Sequence, residues 1–345
     1  MHRSLLLAVA AAALLGCDPV LEGKWSECKG EEFIDRDARI RACTWIIESG
    51  RVSGEKLAVA HLHRAVMRQY AGAVDLAMQD YDQAIRLKPD YADAFNSRGT
   101  LYADKGDLDR AVQDYNEAIR LNPEKRTLAW ALYNRGQVYA ERGQHERAIE
   151  DYDRAIKAML FTRATFARGQ AYFALGQYER AIEDFNTTIR YARGEAKAFA
   201  ARAAAYMSKG EYSRAVDDFA QAHKLAPTDS WAVLYLHMAR RAGQATSDLQ
   251  ASAAKLDKSE WPMTLIRLYL GEIGPDEVLA EAHRGKTVEI QRRRLCEAYF
   301  HLGQIALMRG DREEARRLFG LAADQESVGE WEHHWARAEL ARLAM

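Results

Sequence analysis

Between residues 72 and 227 the chain says nearly the same thing five times. The strings GAVDLAMQDYDQAIRLKP, GDLDRAVQDYNEAIRLNP, GQHERAIEDYDRAI, GQYERAIEDFNTTI and GEYSRAVDDFAQAHKLAP align without gaps. They place Ala77, Ala111, Ala148, Ala181 and Ala215 in one register, at steps of 34, 37, 33 and 34 residues. Upstream of four of them stand FNSRGTLYADKG, LYNRGQVYAERG, TFARGQAYFALG and AFAARAAAYMSKG. Each reads as a first helix (A) with a small residue (Gly99, Gly136, Gly169, Ala203), an aromatic three positions on (Tyr102, Tyr139, Tyr172, Tyr206) and a closing glycine. The Ala series marks a second helix (B), in which Tyr115, Tyr152, Phe185 and Phe219 fill the crossing. One such pair cannot bury its own apolar face, so copies must stack on one another.

On these motifs residues 58–229 resemble the tetratricopeptide repeat family. The resemblance implies an all-α fold, a right-handed superhelical solenoid of antiparallel helix pairs. A further copy, CEAYFHLGQIALMRGDREEARRLFGLAADQ, carries Gly303, Gly310, Ala315 and Phe319, with Ala315 one hundred residues beyond Ala215. Two degenerate helical pairs fit the gap at 230–287, and EWEHHWARAELARL reads as a capping helix closing a C-terminal repeat region at 288–345. Residues 35–57 read as an N-terminal helical cap.

Two positions depart from the family pattern. Arg64, Arg98, Arg135, Arg168 and Arg202 precede the small residue of helix A, and Asp80, Asp114, Asp151, Asp184 and Asp218 precede the aromatic of helix B. One Arg and one Asp per repeat fit a structural ladder of guanidinium–carboxylate pairs, or an Arg stripe that binds a ligand.

The first 16 residues, a basic start followed by an apolar run from Leu5 to Leu15, are too short to span a bilayer as a helix and read as an export signal. Leu14-Leu15-Gly16-Cys17 resembles a bacterial lipobox, which implies acylation at Cys17, a lipid anchor facing the periplasm and a polar tether over 17–34; a soluble periplasmic protein is the alternative. Asp18 after the Cys leaves inner and outer membrane both open. In an oxidising compartment Cys28 and Cys43 can close a disulfide over a short loop. Cys296 reads as a small buried hydrophobe.

Chemistry has little room. With 49 Lys and Arg against 50 Asp and Glu, the net charge of -1 offers no field for nucleic acid. No G-x-S-x-G, phosphate loop, dinucleotide fingerprint or H-E-x-x-H occurs, and His61/His63 and His333/His334 are badly spaced for one metal. We therefore expect a non-enzyme with no catalytic residue, no cofactor and no metal site.

A stacked array offers instead a concave groove lined by helix A. Carrying the family's groove positions over gives Asn96 and Thr100, then Trp130, Tyr133, Asn134 and Gln137, then Arg163, Phe166, Gln170 and Phe173, and finally Lys197. Trp130, Tyr133, Phe166 and Phe173 are the aromatic anchors such a surface would use, or rings packed between successive A helices. Of the two-carboxylate clamp that chaperone-type members use for a peptide C-terminus, only Asn134, Arg163 and Lys197 fall at comparable places.

The last 85 or so residues also resemble NlpI-type lipoproteins of this family. That likeness implies a scaffold for envelope proteins, bringing together peptidoglycan hydrolases or a tail-specific protease, and a homodimer through the N-terminal helices. An assembly factor for a pilus or outer-membrane secretion machine uses the same architecture, and a metal-dependent hydrolase is a third reading.

Overall fold

The structure, a computed structural model, describes residues 18–30, 35–121, 123–192, 194–325 and 331–344. Cys17 and the export signal lie outside these residues. The described residues form helices and no strand, and no described helix is long and apolar enough to cross a membrane. The chain divides into two compact units, the first running to Val138 with Lys157–Met159, the second comprising Tyr139–Ile156 and the residues from Leu160 onward.

Unit 1 begins with α1 (Pro19–Lys29) and α2 (Arg36–Glu48). Residues 17–34, expected to be a polar tether, thus contain a packed helix. Its start is set by Asp18, whose carboxylate accepts the N–H groups of Val20 and Leu21 with Pro19 in the first turn. Its inner face buries Trp25 and Cys28 against Ala42, Cys43 and Ile46 of α2. A polar composition hid this face: two large or sulfur-bearing residues suffice when a disulfide joins Cys28 to Cys43. Asp18 also pairs with Arg51 at 2.6 Å, and the backbone donor of Leu21, ahead of Arg51, holds its carboxyl below the ordinary range.

The repeats follow as α3 (Gly54–Tyr70) with α4 (Val74–Leu87), and α5 (Ala92–Asp104) with α6 (Leu108–Arg120). α6 shows why. Asp107 caps it through the N–H of Arg110, and Ala111, Asp114, Tyr115 and Ala118 fall on one buried stripe. Pro123 lies just beyond the helix and cannot continue it. Gly99 of α5 is where the pair crosses: a Cβ there would stand 2.8 Å from the Tyr115 ring. The next helix, α7 (Lys125–Glu141), starts in unit 1.

Unit 2 repeats the scheme with α8 (His145–Ala158), α9 (Thr162–Ala174), α10 (Tyr178–Tyr191), α11 (Ala196–Lys209) and α12 (Tyr212–Leu225). Gly169 meets Phe185 as Gly99 meets Tyr115, with 2.7 Å available for a Cβ. The degenerate stretch holds α13 (Ser230–Ala242), α14 (Leu249–Ala253), α15 (Trp261–Leu270) and α16 (Pro275–Ala282). α13 is buried without a break from Ala232 to Ala239, which explains why its sequence lost the amphipathic signature. The last pair is α17 (Val288–Met308) and α18 (Arg312–Ala323), followed by α19 (Trp331–Ala344). Cys296 is buried and not disulfide-bonded.

Candidate protein-binding site

The Arg series is committed to structure. Arg98 grips Asp114 through Nε and Nη2, both at 2.8 Å; Arg168 and Arg202 grip Asp184 and Asp218 in the same two-pronged way. The third guanidinium nitrogen reaches back one repeat. Arg98 Nη1 binds Asp82 at 2.7 Å, Arg135 Nη1 binds Asn116 at 2.6 Å, and Arg168 and Arg202 bind Asp153 and Asn186. Each of these acceptors lies two residues after the ladder Asp of its own helix B, in a D-Y-D, D-Y-N, D-Y-D or D-F-N triplet. The sequence paired each Arg with one Asp and missed this second acceptor. The fifth triplet is Asp218-Phe219-Ala220, which offers none.

At the N-terminal end Asp80 collects Arg64, Arg68 and His61, with Arg68 Nη1 at 2.6 Å and His61 Nδ1 at 2.8 Å. Burial by itself would raise the Asp80 pKa, and the hydrogen bonds from His61 and Arg64 more than offset it, leaving it below the ordinary value. Asp184 goes the other way: burial raises it, and Arg168 only partly compensates.

In unit 1 the expected surface residues sit on α5 and α7. Asn134 Nδ2 donates to Asn96 Oδ1 at 3.1 Å and lies 3.4 Å from Thr100 Oγ1, and Thr127 donates to Asp93 at 2.6 Å. These bonds tie successive A helices at a spacing of 34 to 38 residues. The Thr100 hydroxyl also donates to the Asn96 carbonyl and accepts from Tyr115. Asn96, Thr100 and Asn134 therefore build the surface as much as they line it. Trp130 and Tyr133 are half-buried and meet edge to face at 5.9 Å, and Gln137 is exposed.

In unit 2 Arg163, Gln170 and Lys197 are exposed, and Phe166 is half-buried against Phe185 at 5.6 Å. Phe173 corrects the expectation of an exposed anchor: it is only 4% exposed because His334 of α19 covers it edge-on at 5.2 Å. The closing helix does more than cap the last pair. It turns back onto the A helix of the fifth repeat, where Trp335 Nε1 donates to the Ala204 carbonyl at 3.2 Å and Arg342 Nη2 to the Ser208 carbonyl at 3.1 Å. Arg342 thereby meets acceptors at the C-terminus of α11, where the helix leaves its last carbonyls without internal partners.

Beneath α19 lies a buried polar chain. Glu332 accepts from Tyr235 Oη at 2.8 Å, His301 Nε2 stands 3.8 Å from Glu332, and Tyr269 Oη is 3.0 Å from His301 Nδ1. Glu332 and His301 are fully buried. His237, against the Tyr269 ring, is pushed down to about 4 by burial and then by Arg241; His334 falls to about 4 by burial and then by His333 and His145. No group of three His, Cys, Asp or Glu among the described residues could hold a metal ion. The docking of α19 on α11 was not legible beforehand, since it joins residues more than 130 positions apart. The only signal was Trp331 and Trp335 one turn apart, more apolar bulk than a solvent-facing cap requires.

Family models for the tetratricopeptide repeat match residues 90–160 and 166–230, and a model for the TPR repeat matches 70–106. Among solved structures, the chain is similar to pilF of Pseudomonas aeruginosa (18% identity, TM-score 0.53, 65% of this chain and 97% of that one). It is also similar to PilW, a widely conserved type IV pilus biogenesis factor (16% identity, TM-score 0.52, 58% and 91%). A third is the C-terminal part of a TPR repeat-containing protein from Cytophaga hutchinsonii (16% identity, TM-score 0.50, 77% and 95%). At these identities the likeness is one of fold.

Proposed function

Because this chain is a tetratricopeptide repeat protein, we propose that it is a non-catalytic scaffold that holds segments of other proteins on its A-helix surfaces. The observation that carries the reading is α19 itself. A helix of the chain itself lies on the A helix of the fifth repeat, anchored by an indole and a guanidinium on backbone carbonyls. Such a face holds a helix by anchors spaced along one side, a general mode of peptide recognition. The corresponding A-helix positions of unit 1 carry Trp130, Tyr133, Asn134 and Gln137, with Gln137 exposed.

The finer reading places the scaffold in the bacterial envelope, lipid-anchored through Cys17, with peptidoglycan hydrolases or a tail-specific protease as partners. Tethering two proteins to one surface raises their effective concentration without any new contact between them. Support comes from the lipobox-like sequence and from the disulfide, which persists in an oxidising compartment. The second reading, an assembly factor for a pilus or outer-membrane machine, draws on the names of the two pilus proteins it is similar to in fold. Affinity capture from detergent-solubilised envelopes separates the two: cell-wall hydrolases or proteases support the first, pilus or secretin subunits the second. Capture of the same partners by wild type and by Trp130→Ala/Tyr133→Ala would remove the unit 1 surface from the account.

A further inference from the structure

Between α19 and the helices it lies on, the packing is incomplete. A cavity of about 230 Å³ remains there. Met207 of α11, Met238 of α13, Phe300 of α17 and Trp335 of α19 form part of its wall, each less than one-tenth exposed. Arg241, Ala242 and Met308 on its wall are exposed, so the cavity opens to solvent on one side and a ligand has a way in. A dry apolar cavity of about 150 Å³ takes a benzene ring, so this one has room for a ring with a short chain, or a chain of eight or so carbons. Methionine side chains adapt to either shape.

The polar part of the wall is lopsided. Arg342 is paired with Glu339 at 2.9 Å and donates to the Ser208 carbonyl. Arg241 also lines the cavity, and its guanidinium makes no hydrogen bond or ion pair with a described residue; the side-chain amide of Gln304 is in the same position. Beside its apolar side chains and the Arg342–Glu339 pair, the wall thus carries one positive charge and one amide that have no partner among the described residues. The Arg241 charge is felt inside, where it helps to depress His237 and acts on Tyr269.

We propose that this cavity binds a small amphiphilic monocarboxylate, its apolar body among the methionines and its carboxylate on Arg241 with the Gln304 amide. Because Trp335 and Ala338 of α19 belong to the wall, the bound molecule holds α19 down on α11. Aromatic and fatty acids share this chemistry, and titration calorimetry of the full mature chain with 3-phenylpropanoate and with octanoate tells them apart. The expected result is one saturable site for at least one acid, a melting temperature that rises with ligand, and weaker binding of the matching alcohol. Arg241→Gln, at an exposed position, should weaken the acid about tenfold, the loss of a single charge-assisted hydrogen bond, and leave the alcohol unchanged. Met238→Trp fills the hole and should abolish binding of both; Ala338→Leu does so from the α19 side if the first variant folds poorly. No saturable binding of either acid at millimolar concentration overturns the proposal. So does binding that survives both filled variants, or an acid affinity that ignores Arg241→Gln.

Discussion

Arg98 shows how much one side chain does in this array. Its guanidinium is shared between two carboxylates from successive B helices, and Asp114 is almost buried beneath it. The hydrogen bond to Asp114, ahead of that to Asp82, holds the Arg98 pKa above its ordinary value. Removing the cation leaves a desolvated carboxylate with nothing opposite it. Arg98→Ala should therefore cost about 3 kcal/mol of stability, the scale of breaking a buried pair. Arg110→Ala, which breaks an exposed pair with Asp107, should cost far less, because solvent screens it. Urea denaturation of the two variants checks the contrast, and equal losses would mean that the ladder contributes no more than a surface pair. The Arg and Asp columns were legible because they recur at the repeat interval. The back-reaching contact was not, although Asp82, Asn116, Asp153 and Asn186 recur too. An Asp or Asn on a B helix looks like ordinary solvated surface until the neighbouring repeat is in place.

At the scale of elements, α1 and α19 depart most from what the sequence led us to expect. Both were read by composition, one as a tether and one as a cap; a few large residues make the first a packed helix and dock the second, beyond its capping role, on α11. α1 needs Trp25 and the disulfide. Its link closes a loop of 15 residues, which constrains the unfolded chain by on the order of 3 kcal/mol. Reduction should accordingly release amide protons of α1 and α2 to hydrogen exchange and leave α13 and α17 unchanged. α19 needs Trp335, buried to 4% exposure among Tyr235, Phe300 and Trp331. Trp335→Ala should cost about 3–5 kcal/mol locally and expose Phe173 and Met207. Hydrogen exchange would then speed up in α19 and at the C-terminus of α11; unchanged exchange in α11 would contradict the docking. The helix pairs themselves were legible because alanine, glycine and one aromatic per pair leave no alternative packing. The docking of α19 was not, because nothing local in a sequence specifies a contact across 131 residues.

For the whole molecule, the two units carry different sensitivities. His237 is 7% exposed and its folded pKa is about 4 against an ordinary 6.5. The unfolded chain therefore binds the proton first, and stability falls as pH drops from 6.5 toward 4, by up to about 3 kcal/mol for this group. His334 adds to the loss in the same direction. Asp80 in unit 1 titrates lower, because its stabilising charge is lost only below the ordinary carboxylate range. Mild acid near pH 5 should thus loosen unit 2 most, with a smaller effect in unit 1, where burial also depresses His63, while reductant loosens unit 1, as followed by hydrogen exchange of each. Export and lipidation rest on residues 1–17, and mass spectrometry of the mature N-terminus should find an acylated Cys17; an unmodified N-terminus would leave a soluble protein.

The scaffold reading depends on which surface meets a partner, and site-specific photocrosslinking asks that directly. A benzophenone amino acid placed at Gln137, exposed on α7, or at Gln113, exposed on the B helix α6, can be activated in intact cells. Adducts with other polypeptides at position 137 and none at 113 are the predicted outcome. Adducts at 113 alone, or at neither position, would contradict recognition through the A helices of unit 1.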